Sequence, residues 1–274
     1  MITANYQRPF LKEIINSELM PESDYGLNLV IGNLGNGKPL ITDFAKLKNL
    51  LIITETEEQK THAIKSAITN LSYRTKPENL GLIIIDSTPS ALNVFKNSPN
   101  LIHPIIKENS EAIKTLEWAK LEMDARIKQH RSKSTTQDQS AIKPEHDKSD
   151  IPEDIIIVIN ELADLMVHNP SETELLIATL GQKSSRIGIH LIIATTHQNY
   201  EVLTGLILAN YPSKIIFKPL SKFISRIIDQ KLIDQDLENF DTIFIKRAQK
   251  PKLVNSPSIS DQEIELLIKY STET

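Results

Sequence analysis

Residues 50–68 read LLIITETEEQKTHAIKSAI. Four consecutive apolar side chains open the stretch, the pattern of a strand covered on both faces, as in a parallel sheet between two layers of helices. Thr54 and Glu57 have the spacing of a capping box, and Ala63, Ile64, Ala67, Ile68 and Leu71 recur behind them at helical intervals. Strand, short turn, Lys60-Thr61 and helix therefore follow in the order that a phosphate-binding loop requires. The glycines of such a loop are missing. Thr54, Glu57 and Gln59 stand where a Gly-x-x-x-x-Gly-Lys-Thr pattern and its inner glycine would be.

The alternation continues on both sides of this stretch. Further strands are expected at 27–31, 82–85, 155–159, 191–194 and 214–217, most of them apolar at every position. A helix is expected from near Ser110, with Ala112, Leu116, Ala119 and Met123 on one face. Ser171 and Glu174 form a second capping box ahead of Leu175, Leu176, Ala178 and Leu180. Ser260 and Glu263 form a third, ahead of Ile264, Leu267 and Ile268. The expected fold is α/β, doubly wound or RecA-like, a mainly parallel sheet flanked by helices on both faces. From 128 to 152 the chain reads KQHRSKSTTQDQSAIKPEHDKSDIP, polar throughout, and is expected to be a flexible loop inserted before the strand at 155.

A second candidate phosphate loop, GNLGNGKP at 32–39, has the Gly-x-x-x-x-Gly-Lys spacing. Pro39 follows its lysine where a Mg²⁺-binding hydroxyl is needed, and it biases Lys38 away from helical geometry. Leu40, Ile41 and Thr42 then read as strand, so this segment is expected to be a glycine-rich hairpin turn.

Composition narrows the function classes. The chain has 274 residues, formal net charge −4 and no cysteine. The missing cysteines exclude disulfide scaffolds, thiolate metal sites and cysteine nucleophiles. The first twenty residues lack the apolar run of a signal peptide, and no run is long enough to span a bilayer, so a cytoplasmic protein without a membrane segment is expected. The histidines show no metal-ligand spacing, so no metal site is expected. With no net positive charge, contact with nucleic acid would have to come from local basic clusters. Two such clusters exist: Arg126, Lys128, Arg131 and Lys133, and then Lys246, Arg247, Lys250 and Lys252. The usual explanation of such clusters is a solvated surface.

Beyond the loop, the sequence resembles the motor domain of the FtsK/SpoIIIE family of DNA translocases. IPEDIIIVINELADLM at 151–166 is similar to that family's Walker B strand, V-D-E-x-A-D-L-M. GIHLIIATTHQNYEVLTGLILANYPSKIIFKPLSKFISRIIDQ at 188–230 follows its G-I-H-L-x-x-A-T-Q-R-P segment and continuation almost residue for residue. Weaker colinear matches extend the resemblance over about 27–270. It implies a RecA-like P-loop NTPase core at 27–274, preceded by a lead-in at 1–26. It also implies assembly as a hexameric ring around duplex DNA, with the family's other domains expected to be absent.

The resemblance places Lys60 and Thr61 at the nucleotide-binding lysine and hydroxyl, Asn160 at the metal-binding Asp, and Glu161 at the catalytic carboxylate. Asn160 has lost the charge that holds Mg²⁺, and Asp86-Ser87-Thr88-Pro89-Ser90-Ala91 has lost the Lys and Glu of the family's D-P-K-x-x-E. Glu55, Glu57 and Glu58 bring carboxylates beside a polyphosphate site, where one like-charge contact near 4 Å costs about 4 kcal/mol. Glycine-free loops also bar close backbone approach. The expectation is a degenerate Walker A, a pseudo-ATPase without bound cofactor, serving as a binding, assembly or regulatory subunit. It could be a homo-hexamer or co-assemble with an active FtsK-type protein. The alternatives are a DNA-stimulated ATPase that binds Mg-ATP and uses Lys60, Thr61 and Glu161 with an unorthodox loop, and a chain that merely folds. Arg226 matches a family arginine and is a candidate subunit-interface residue.

Overall fold

The computed structural model describes residues 9–15, 26–73, 75–88, 91–134, 151–167, 169–218, 221–228, 240–246 and 249–273. Seven strands form the main sheet: β3 (Leu50–Ile53), β4 (Leu80–Ile85), β5 (Asp154–Ile159), β6 (Ile189–Thr195), β7 (Ser213–Phe217), β8 (Thr242–Ile245) and β9 (Lys252–Val254), in the order β4-β5-β6-β3-β7-β8-β9. The first five in that order run parallel, and β8 and β9 join antiparallel at one edge. Every residue of β3, β4, β6 and β7 is buried, as the unbroken apolar runs require.

Alternation along the strands divides the core in two. Leu50 and Ile52 face one layer, formed by α1 (Leu11–Ile15), α3 (Glu57–Tyr73) and α9 (Asp261–Glu273). Leu51 and Ile53 face the other, formed by α4 (Asn109–Ser134), α5 (Leu162–Met166), α6 (Pro170–Lys183), α7 (Gly205–Asn210) and α8 (Lys222–Ile227). The helices thus cover both faces, as expected.

The expected strand at 27–31 belongs elsewhere. β1 (Asn28–Asn33) pairs antiparallel with β2 (Pro39–Asp43) in a separate two-stranded sheet, followed by the short α2 (Phe44–Leu47). The loop 34–38 is the hairpin turn its sequence implied: Gly37 takes φ 76°, and Leu34 and Gly37 close the turn through N–H bonds to Lys38 O and Leu34 O. Reciprocal bonds of 2.8 and 2.9 Å between the backbones of Asn33 and Asn255 fasten this hairpin beyond the β9 edge. At Gly32, φ 149°, a Cβ would lie 2.3 Å from Asn255 O, so only glycine permits the approach.

Three local expectations change. The α3 cap is Thr56, whose hydroxyl accepts from Gln59 N at 3.3 Å; Thr54 lies in the turn, and its hydroxyl donates to Thr56 O at 3.2 Å. Asn169 rather than Ser171 precedes α6, because Pro170 suits the first helical position, and Glu174 accepts instead from Thr204. The polar stretch beginning at 128 is helical through Ser134, since α4 continues past its last buried contacts; 135–150 lie outside the described residues. The box at Ser260 and Glu263 forms as expected, with Ser260 N donating to Glu263 Oε2 at 2.9 Å and Glu263 N to Ser260 Oγ at 3.3 Å.

Candidate functional site

Parallel strands deliver their C-terminal ends to one edge of the sheet, and ligand sites of open α/β folds lie there. At this edge β6 lies between β5 and β3, so the turns after all three converge. The β3 turn leads into α3 and supplies Glu57, Lys60 and Thr61. The β5 turn supplies Asn160 and Glu161, and the β6 end supplies Thr195 and Thr196. The strand order thus brings Lys60 and Glu161 into contact, whereas Asn160, next to Glu161 in the chain, bonds to Asp86 and Thr88.

Lys60 is wholly buried, and its Nζ lies 2.8 Å from Glu161 Oε2 and 2.8 Å from Glu57 Oε1. Glu161 also accepts from Thr195 Oγ1 at 2.6 Å, Thr196 N at 3.0 Å, Thr196 Oγ1 at 3.2 Å and Ala163 N at 3.0 Å, the last contact capping α5. Burial alone would raise the Glu161 pKa. The hydrogen bonds from Lys60 and Thr195, the Lys60 charge and the Ala163 N–H outweigh it, and the net direction is down. Glu161 is a carboxylate with its acceptor positions filled by the protein. His197 Nδ1 lies 3.6 Å from Glu161 Oε1 at the exposed rim.

The turn before Lys60 is short, and its backbone N–H groups bond within the protein. A phosphate cradle is a concave run of backbone with N–H groups turned inward. Here only 54–56 separate β3 from α3, and Lys60 already lies within the first turn of the helix, its N–H bonded to Thr56 O at 3.1 Å. Glu55 N donates to Gln59 Oε1 at 3.2 Å, and Gln59 N to Thr56 Oγ1. Two glutamines fix the turn from outside: Gln59 Nε2 donates to Lys218 O beyond β7, and Gln198 Nε2 to Thr54 O. Thr61 follows Lys60 and is half-buried.

Asn160 is wholly buried between the ends of β4 and β5. Its Nδ2 donates to Asp86 Oδ1 at 2.7 Å and to Thr88 Oγ1 at 3.3 Å, the orientation a carboxylate partner demands; its Oδ1 is buried without a partner. The Asp86 carboxylate also accepts from Leu92 N at 3.1 Å and lies 3.4 Å from Lys107 Nζ, which donates to Thr88 O at 3.0 Å. Lys107 was not among the expected site residues. It brings a cation to the position where Thr88 replaces the lysine of the D-P-K-x-x-E pattern, and no local sequence signal links 107 to 88. The pairing of Glu57 with Lys60 was also missed, although three residues separate them on one helix, the spacing of a side-chain contact.

Other expected residues lie apart from this pocket. Arg126 is buried in a structural role, donating to Glu122 Oε1 and to the carbonyls of Pro152, Glu153 and Ile187, so the first basic cluster loses its leading member as a phosphate contact. Lys246 is half-buried with Nζ 3.5 Å from Thr42 Oγ1, whereas Lys250 and Lys252 are exposed along the antiparallel edge. Arg247 lies outside the described residues. Arg226 is exposed on α8. Among the described residues no helix is long and apolar enough to cross a membrane.

Comparison with known proteins bears on the family and the fold. The model of the FtsK/SpoIIIE family matches residues 10–202. The DNA translocase FtsK of Rickettsia prowazekii is 32% identical over 304 aligned positions, covering 98% of this chain and 41% of that protein. The DNA translocase FtsK of Caldanaerobacter subterraneus is 34% identical, covering 96% and 37%. The chain thus spans about two fifths of the length of these relatives. Among solved structures, the pCW3 conjugation coupling protein TcpA, a monomer form with ATPγS, superposes with a TM-score of 0.76 at 18% identity, over 97% of this chain and 73% of that one. The cytoplasmic domain of the Thermomonospora curvata type VII secretion ATPase EccC gives 0.74 at 16%, over 97% and 34%. These structures share the RecA-like P-loop ATPase fold. Sequence match and strand order lead to one assignment: the chain belongs to the FtsK/SpoIIIE family.

Proposed function

We propose that this chain is a DNA-translocase motor core whose triphosphate pocket is closed by its own side chains, acting as a non-hydrolysing binding, assembly or regulatory subunit in DNA translocation or segregation. One observation carries the reading: the ammonium of Lys60, which a P-loop lysine would give to β/γ-phosphate oxygens, is sealed between Glu57 and Glu161. The residues present do not fit Mg-ATP. Three backbone N–H groups of the loop region are spent on protein acceptors, and the metal-binding position carries the neutral Asn160, already donating to Asp86. Glu161, Lys60 and Thr61 are remnants of a hydrolytic site, kept here as structural groups.

Duplex DNA is the proposed partner. The exposed Lys250 and Lys252, with Lys246 and Arg247 beside them in sequence, would supply phosphate contacts. The proposed assembly is a homo-hexamer or a mixed ring with an active FtsK-type protein, with Arg226 offered at the subunit interface.

The test is an ATPase assay on the purified chain with and without duplex DNA, with DNA retention measured alongside. The expected result is no turnover in either condition, and salt-sensitive DNA retention that falls when Lys250 and Lys252 are changed to Glu. Turnover abolished by Lys60→Ala would establish the other reading, a DNA-stimulated ATPase using Lys60, Thr61 and Glu161. Absence of DNA retention at low salt would remove the DNA partner.

A further inference from the structure

The two carboxylates on Lys60 are held in very different ways. Glu161 is buried and fixed by donors from α5, β6 and the turn after β6. Glu57 sits at the first residue of α3 with 61% of its side chain exposed; apart from Lys60 it has a 3.4 Å contact from Thr196 Oγ1. Glu161 has no free direction, whereas a glutamate at a helix start has rotamers that carry its carboxylate out into water, and only Lys60 and Thr196 hold it in place.

Charge accounting gives the consequence. With Glu57 in place, Lys60, Glu57 and Glu161 sum to one negative charge, and an arriving anion is repelled at contact range. With Glu57 turned outward, Lys60 and Glu161 cancel, and the N-terminal end of the 17-residue α3 adds the favourable end of its dipole. We propose that Glu57 is an autoinhibitory latch: its carboxylate occupies the one position on the Lys60 ammonium that an anionic oxygen of a polyphosphate could take once the glutamate turns outward. This rests on the reading that the wild-type pocket is closed, and it divides the obstacles in that pocket. Glu57 blocks the Lys60 ammonium, while the internally bonded turn and the neutral Asn160 stand against a seated Mg–triphosphate.

The probe is inorganic pyrophosphate, titrated calorimetrically at constant ionic strength into the full chain and three variants. Glu57→Gln is expected to bind at least tenfold more tightly than wild type. Glu58→Gln removes the same charge one residue along, from an exposed side chain, and is expected to match wild type. The gain is expected to vanish in Glu57→Gln combined with Lys60→Met. A Glu57→Gln chain that binds no better than wild type, or no better than Glu58→Gln, overturns the latch, and this comparison stands even if the Lys60 variant fails to fold. ATP turnover by the wild-type chain would instead overturn the closed-pocket reading, so the two failures are distinguishable.

Discussion

Glu161 keeps its charge inside the core because donors from three directions converge on it, and that makes it a source of pH-dependent stability. Its folded pKa lies below the ordinary value of 4.5. A carboxylate with a depressed folded pKa contributes stability that is fully present above its unfolded value and is lost as pH falls through the folded one. Glu161→Gln leaves buried Lys60 with only the exposed Glu57, and is expected to cost about 3 kcal/mol at neutral pH, the lower end for breaking a buried pair. Urea midpoints of the two proteins should draw together as pH falls below 4.5; a variant as stable as wild type at neutral pH would contradict the assignment. At this scale the sequence pointed to Lys60 and Glu161 as members of one site, and the two form an ion pair, while Asn160 bonds instead to Asp86 and Thr88. It pointed to the acidic residues at 55–58 as repulsive to phosphate, but not to Glu57 as a bond to Lys60, because a glutamate's rotamer is set by contacts from other elements. Lys107 was invisible for the same reason: its link to Asp86 and Thr88 exists only once β4 and the start of α4 are brought together.

Among the secondary-structure elements, what could be read from sequence depended on where the stabilising contacts lie. The buried parallel strands stand out as apolar runs, and β3 matches its expected bounds to the residue. β8 and β9 are short and lie at or next to the sheet edge, with partly exposed residues, so they lack that signature and were missed. β1 looks like a core strand because its side chains are buried, yet it pairs with β2 in a separate sheet and packs against α1, α3 and the β9 edge. The helix starts were harder still, since Thr54 and Thr56 both offer a capping hydroxyl, and Thr54 spends its own on Thr56 O inside the turn. The hairpin supplies the test at this scale. Gly32→Ala forces a Cβ onto Asn255 O in a backbone conformation that side chains disfavour. It is expected to cost about 1–3 kcal/mol in chemical denaturation. A neutral effect would mean that the hairpin does not bear on the β9 edge as described.

In the molecule as a whole, a complete RecA-like scaffold surrounds a pocket whose cation is already neutralised. Family membership and strand order put the strand ends where a nucleotide would sit, and the side chains delivered there bind one another. Scaffold and pocket respond to different constraints. The two-sided core depends on apolar side chains along the strands, which this sequence retains throughout. The proposed closure rests on a handful of polar positions, Glu57, Gln59, Asn160 and Gln198 among them, which lie outside that apolar core. The most direct measurement is equilibrium titration of Mg–ATPγS into the unmodified chain, up to about 1 mM, the upper end of ordinary substrate affinities. No saturable binding is expected, with or without duplex DNA. Saturable micromolar binding that Lys60→Ala abolishes would contradict the closed-pocket reading.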